Sequence, residues 1–180
     1  MVIDLQNFQS ITATGNPSIY EVGTGLRLGN LANGIWKQGK HALPHGTCTG
    51  VGVGGHFTHG GYGHTSRNWG ASLDRLVGAE VVLANGTLVK TSAKENSDIF
   101  WAMRGAADSI GIATKFVVST ERAPEFLTYF SFKWNDVFNG TKEDFTNKFL
   151  HIQDFSRNET VVDEKISFGI VSPQLPHSLP

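Results

Sequence analysis

Between Gly46 and Gly70 lie nine of the chain's 21 glycines, and between His41 and His64 lie five of its seven histidines. Glycine at that density argues against a long regular element, because each one costs backbone entropy on ordering and offers no side chain to pack. What it permits is a series of turns whose successive N–H groups can approach a ligand closely and hold a phosphate or a polar heteroaromatic ring. The stretch reads His45-Gly46-Thr47-Cys48-Thr49-Gly50-Val51-Gly52-Val53-Gly54-Gly55-His56-Phe57-Thr58-His59-Gly60-Gly61-Tyr62-Gly63. No Gly-Lys-Ser/Thr follows, so it is not a Walker loop. The run Gly50–Gly55 has the wrong spacing for a dinucleotide fingerprint, and no clear helix opens after it.

A metal site, a thiol nucleophile and a plain packing role compete for its side chains. His45, Cys48, His56 and His59 are all possible metal ligands, but histidines three, eight and eleven residues from one thiol match none of the usual zinc spacings. Cys48 with His45 or His56 would make a thiol nucleophile and base. As a packing residue, Cys48 would be a small buried hydrophobe. It is the only cysteine, so no disulfide can form within the chain.

The remainder reads as a folded α+β protein. Lys plus Arg (15) nearly balances Asp plus Glu (16), which leaves no electrostatic footprint for nucleic acid or an anionic membrane surface. Ile19–Val22 reads as a strand, 27–38 as a helix with Gly39 at its C-cap, and 79–84 with 87–90 as a hairpin around Asn85-Gly86. A short helix is expected from Asn96 to Gly105, with Ile99, Phe100 and Met103 inward, and a strand at Phe116–Val118. Phe126 to Trp134 alternates like a half-buried antiparallel strand, residues 136–155 suit an amphipathic helix, and Ile166–Val171 is strand-like. Lys142-Glu143-Asp144 reads as a solvated face of that helix. Trp36 and Trp101 are expected in the core. A domain boundary is expected at Arg122-Ala123-Pro124, dividing 1–122 from 123–180.

Several motifs occur in order: Cys48 with the Val51–His56 run, the Gly60-Gly61-Tyr62-Gly63 turn, Arg67-Asn68-Trp69-Gly70, and Leu73-Asp74. Asp98–Gly105 and Gly111–Phe116 follow, and Val2–Leu5 and Val22–Gly29 precede them. Together they resemble the flavin-binding domain of berberine bridge enzyme-like oxidoreductases, over roughly residues 1–134. Ala42–Cys48 most resembles the fungal branch that oxidises oligosaccharides, the glucooligosaccharide oxidase-like group. The implied fold is α+β: part of a vanillyl-alcohol-oxidase, PCMH-type FAD-binding domain, followed by the start of an antiparallel-sheet substrate domain.

By that resemblance Cys48 is the sulfur joined to C6 of FAD. Thr47, Val51, Gly52, Val53, Gly54, Gly55, His56, Gly60, Gly61, Tyr62 and Gly63 hold the ring and ribityl chain, largely through backbone N–H groups. Gly111 and Ile112 lie near the adenine side. Ala106-Ala107-Asp108-Ser109 stands where many members carry a run of glycines. The implied reaction oxidises an alcohol or anomeric hydroxyl of an oligosaccharide, with dioxygen reduced to hydrogen peroxide. The loop bearing the family's second, histidyl link is expected before Met1. The catalytic tyrosine is expected beyond Pro180, so no catalytic base is assigned here. The chain is thus expected to be a piece of a larger monomeric protein and inactive alone, a binding remnant being the alternative. Met1–Leu5 opens on a strand-like run rather than a secretory signal. Sequons at Asn85, Asn139 and Asn158 nevertheless suggest an extracellular parent.

Overall fold

The computed structural model describes residues 2–133 and 140–171. Its elements are β1 (Ile11–Ala13), β2 (Ile19–Gly23), α1 (Leu28–Gly39), β3 (His41–Ala42), α2 (Val53–Thr58) and α3 (Ser66–Trp69). Then come β4 (Leu76–Leu83), β5 (Leu88–Ser92), α4 (Ser97–Met103), β6 (Gly111–Ser119), β7 (Glu121–Arg122) and α5 (Lys142–Ser156). The fold class is α+β, as expected. Five strands form an antiparallel sheet in the order β1-β2-β6-β4-β5, and β3 pairs with β7.

Alternation along the strands sorts residues between the two sheet faces. Tyr20 and Val22 of β2, Phe116 and Val118 of β6, and Ala79 and Val81 of β4 point into the core. Leu28, Leu31 and Ile35, spaced three and four apart along α1, are fully buried in the same cluster with Val53, Phe57, Phe100 and Met103. The intervening positions make the polar face. There the Lys115 ammonium lies 3.2 Å from Glu21 and 3.3 Å from Glu80, and the hydrogen bond to Glu21 foremost raises its pKa.

The hairpin forms as expected, but not with a two-residue turn. Leu83 accepts from the Gly86 N–H and donates to Thr87, and only Gly86, at φ 82°, is left-handed. Asn85 keeps negative φ and accepts from the Thr87 N–H at 3.0 Å, so the loop has three residues with the bulge at Gly86. Gly39 likewise ends α1 without taking the left-handed role, which falls to Lys40 at φ 57°. What Gly39 supplies is space: a side chain there would overlap the Tyr20 hydroxyl. Asn96 does precede α4, but its amide donates to the Lys90 carbonyl at 2.7 Å instead of capping the helix.

Four further expectations are corrected. Residues 126–133 form no strand; Phe126, Leu127, Tyr129 and Phe132 are each at least 81% exposed, because no neighbouring strand among the described residues takes their backbone groups. Trp134 lies outside the described residues. Residues 166–171 are likewise without strand structure. The helix expected at 136–155 starts at Lys142, where Thr141 and Asp144 exchange hydrogen bonds, so Asp144 is a capping residue and not merely part of a solvated face. Residues 136–139 lie outside the described residues. Finally, Trp36 and Trp101 are exposed; Trp36 lies under the Lys40 ammonium, 4.2 Å from its ring centre.

Candidate functional site

The glycine-histidine segment is pinned at three places. Its first part, Thr47 to Gly50, is exposed and carries Cys48, a free and exposed thiol. The small-buried-hydrophobe role for Cys48 is therefore excluded. Its middle runs antiparallel to residues 24–28: Leu28 donates to Val51, Val53 to Leu26, and Gly54 to Thr24, at 2.9, 2.9 and 3.2 Å. Thr24 in turn donates its hydroxyl to the Ala113 carbonyl at 2.7 Å, linking the segment to β6 just beyond Gly111 and Ile112.

A six-residue helix, α2, then opens inside the run, where the sequence showed none. It holds because Val53 and Phe57 are fully buried and Phe57 stacks on Phe116, ring centres 6.0 Å apart. The Val53 side chain thus belongs to the core. Gly60 and Gly61, at φ 108° and 73°, reverse the chain in conformations that L side chains rarely adopt. Ser72, with no exposed surface, secures that reversal. Its hydroxyl donates to Pro44 at 2.7 Å and its N–H to Gly61 at 2.7 Å, while Leu73 donates to Gly60. Arg75 ties the far end, donating from Nε and Nη2 to the Trp69 carbonyl at 2.9 and 2.7 Å and from Nη1 to Glu121 at 2.7 Å.

The histidines are spent on separate partners. His56 Nε2 accepts from the Gly46 N–H at 3.0 Å, His45 Nδ1 bonds the Gly46 carbonyl at 2.7 Å, and His59 Nε2 meets Asp108 at 3.2 Å. Among the described residues no group of three His, Cys, Asp or Glu side chains converges to hold a metal. Burial first, and then the neighbouring His45, lower the His56 pKa below its ordinary 6.5. The unfolded chain therefore takes up this proton first as pH falls. His56 stabilises the fold fully above pH 6.5 and that contribution is lost as pH falls through its folded value. Melting curves from about pH 8 to about pH 5 should show a stability loss that His56→Gln, which keeps an acceptor for Gly46, makes shallower. An unchanged slope would refute this assignment.

A groove of about 450 Å³ lies beside the segment, lined by Asp4, Gln6, Arg27, Asn30, Gly52 and Gly55 among others. That is within the range of small-molecule and cofactor sites, which run roughly 300–1,000 Å³. Side chains at Gly50, Gly55 or Gly60 would project into open space, so backbone there is bare to an approaching molecule. Five of the N–H groups expected to hold a ligand are committed internally, however: those of Val51, Val53, Gly54, His56 and Gly63. Tyr62 is 82% exposed. Sequence reasoning missed Arg27, Ser72 and Arg75. A polar residue buried in a turn and an arginine reaching a distant carbonyl leave no periodic trace.

Residues 1–92 match the family model for the FAD binding domain. The chain belongs to that family. A chitooligosaccharide oxidase of Gibberella zeae is 44% identical over 135 residues, 75% of this chain and 27% of the relative. The xylooligosaccharide oxidase of Myceliophthora thermophila C1, solved with xylobiose, superposes with a TM-score of 0.65 at 46% identity, over 67% of this chain and 25% of that one. Glucooligosaccharide oxidase of Acremonium strictum, with a 6-S-cysteinyl, 8α-N1-histidyl FAD, gives 0.63 at 40% identity, over 68% and 26%. Berberine bridge enzyme-like proteins are also relatives. The family is one of FAD-dependent oxidoreductases, and the chain spans about a quarter of the length of the relatives it matches. The bare glycine backbone, the groove and the exposed thiol fit FAD.

Proposed function

We propose that the protein carrying this chain is a covalent-flavin oxidase of oligosaccharides, and that Cys48 bears one of the flavin links. One observation carries the reading: the sole thiol is exposed on a turn held beside a glycine-walled groove. Relatives with 6-S-cysteinyl FAD support the assignment. Gly52, Gly54 and Gly55 line the groove where the cofactor would lie, and Gly60, Gly61 and Tyr62 form the turn that follows α2. Bound there, FAD supplies the two-electron acceptor for oxidation of an alcohol or anomeric hydroxyl, with dioxygen leaving as hydrogen peroxide. The work of this chain is to bind and orient: α2 and the Ser72 bonds fix the turn, and the hydrogen bonds to residues 24–28 fix the groove wall. The activity proposed is that of the complete, monomeric protein, to which this chain contributes the part of the flavin site around Cys48. A link at Cys48 would replace its S–H and the ring C6–H by one S–C bond, with dioxygen as acceptor of the two electrons and two protons released, giving hydrogen peroxide.

The parent is proposed to be extracellular. Asn85 and Asn158 are exposed, and each accepts a hydrogen bond from the threonine of its own sequon, at 3.0 and 2.6 Å. Asn139 lies outside the described residues.

The test is expression of the complete open reading frame, followed by mass spectrometry of the tryptic peptide containing Cys48. A flavin adduct is expected, and Cys48→Ala should abolish it at that peptide. A colourless protein with an unmodified thiol would instead favour the binding remnant.

A further inference from the structure

The turn that carries Cys48 has no anchor of its own. Thr47, Cys48, Thr49 and Gly50 are all exposed, so no side chain of the turn is buried in the core. Its position comes from α1. The first N–H groups of a helix have no partner within the helix. Here two of them are taken up by this turn: Leu28 donates to Val51 at 2.9 Å and Gly29 to Thr49 at 3.0 Å. Between them, Arg27 reaches over and donates from Nη1 to the Gly50 carbonyl at 3.2 Å. Three consecutive carbonyls are thus gripped by three consecutive residues at the head of a helix whose Leu28, Leu31 and Ile35 are fully buried. The Val51 N–H closes the turn onto the Cys48 carbonyl at 3.2 Å.

The grip depends on Gly29 having no side chain. A methyl group there would stand 2.8 Å from Thr49 Cβ and 3.3 Å from its Cγ2. Thr49 Cβ is fixed to the backbone and cannot swing aside, so the turn itself would have to move.

We propose that Arg27 and Gly29 are positioning residues for flavin attachment: they seat the 48–51 turn on the first turn of α1 and so set where the Cys48 sulfur stands. This rests on the reading that Cys48 bears the flavin. Neither residue touches the reacting atoms. Gly29 acts on the rate at which the S–C bond forms and not on the affinity for free FAD; Arg27, which also lines the groove, acts on that rate through its bond to Gly50.

Gly29→Ala displaces a turn with no buried side chain, and its effect on attachment is separated from any loss of stability by the rescue with Thr49→Gly. In the complete protein prepared free of flavin and mixed with FAD in air, the Cys48 adduct should appear ~100-fold more slowly in Gly29→Ala, the cost of a displacement on the order of an ångström. Affinity for FAD before attachment should not change. Adding Thr49→Gly, which removes the obstructing Cβ and Cγ2, should restore most of the rate. Arg27→Met keeps the aliphatic stem and removes the donor; with FAD saturating, so that any change in affinity drops out, it should slow attachment about tenfold, and it decides the matter if Gly29→Ala does not fold. An adduct in the parent protein that forms equally fast in both single variants would overturn the proposal. So would a slowed Gly29→Ala with a lowered melting temperature and no rescue by Thr49→Gly. Absence of any adduct in the parent protein would instead overturn the Cys48 reading beneath it.

Discussion

Phe57→Ala is expected to lower the unfolding free energy by about 3–5 kcal/mol, the range for deleting a fully buried phenylalanine. Phe57 has no exposed surface and stacks on the equally buried Phe116, with ring planes 22° apart. Its neighbour His56 meets it edge-on, ring centres 6.2 Å apart. A helix of six residues has too few internal hydrogen bonds to repay its own nucleation, so α2 exists because Val53 and Phe57 fasten it to the sheet. Loss of the ring should therefore also loosen His56 and the bond it accepts from Gly46. Chemical denaturation reads the first effect and hydrogen exchange at Gly46 the second. A loss under about 1 kcal/mol would mean that α2 is held by something other than this ring.

Gly63→Ala should cost about 3 kcal/mol or more, at or beyond the upper end for overpacking. The added methyl group would overlap the His45 carbonyl and stand 2.9 Å from its carbon, with Gly46 Cα at 3.3 Å. These are backbone atoms on both sides, so no rotamer change can relieve the contact. The two strands of loop would have to separate, and the His45–Gly46 side runs directly into Thr47 and Cys48. The expected result is a lower melting temperature, by roughly 2–4 °C per kcal/mol for a chain of this size. Gly50→Ala serves as the control, since its methyl group would meet nothing within 4 Å. Equal melting temperatures for the two variants would show that the 45–46 and 60–63 segments are not packed as described.

Local order was readable where one stretch of chain satisfies itself. Ile19–Gly23, α1 and the 76–92 hairpin follow from periodicity and turn chemistry, since their apolar faces and hydrogen bonds are set within a few residues. The same reasoning misread residues 126–133, where alternation supplies the faces of a strand but not the neighbour it must pair with. It misread Trp36 and Trp101, because a large apolar ring is buried only if a partner surface arrives. It also passed over α2, since glycine lowers helix propensity and the compensating contact, Phe116, is 59 residues further on.

The sequence alone determined the material of the site: one thiol, a run of glycines able to bare their backbone, and histidines with no metal spacing. These are properties of residue types and of their order along a few turns. Tertiary structure decided where the thiol stands and what else the segment does. Arg27, Gly29, Ser72 and Arg75 position it from outside, β6 enters the sheet between β2 and β4, and five N–H groups are diverted from ligand duty into the fold. Each of those outcomes depends on atoms brought together by burial of a shared core, and the order of residues along the chain does not display that proximity.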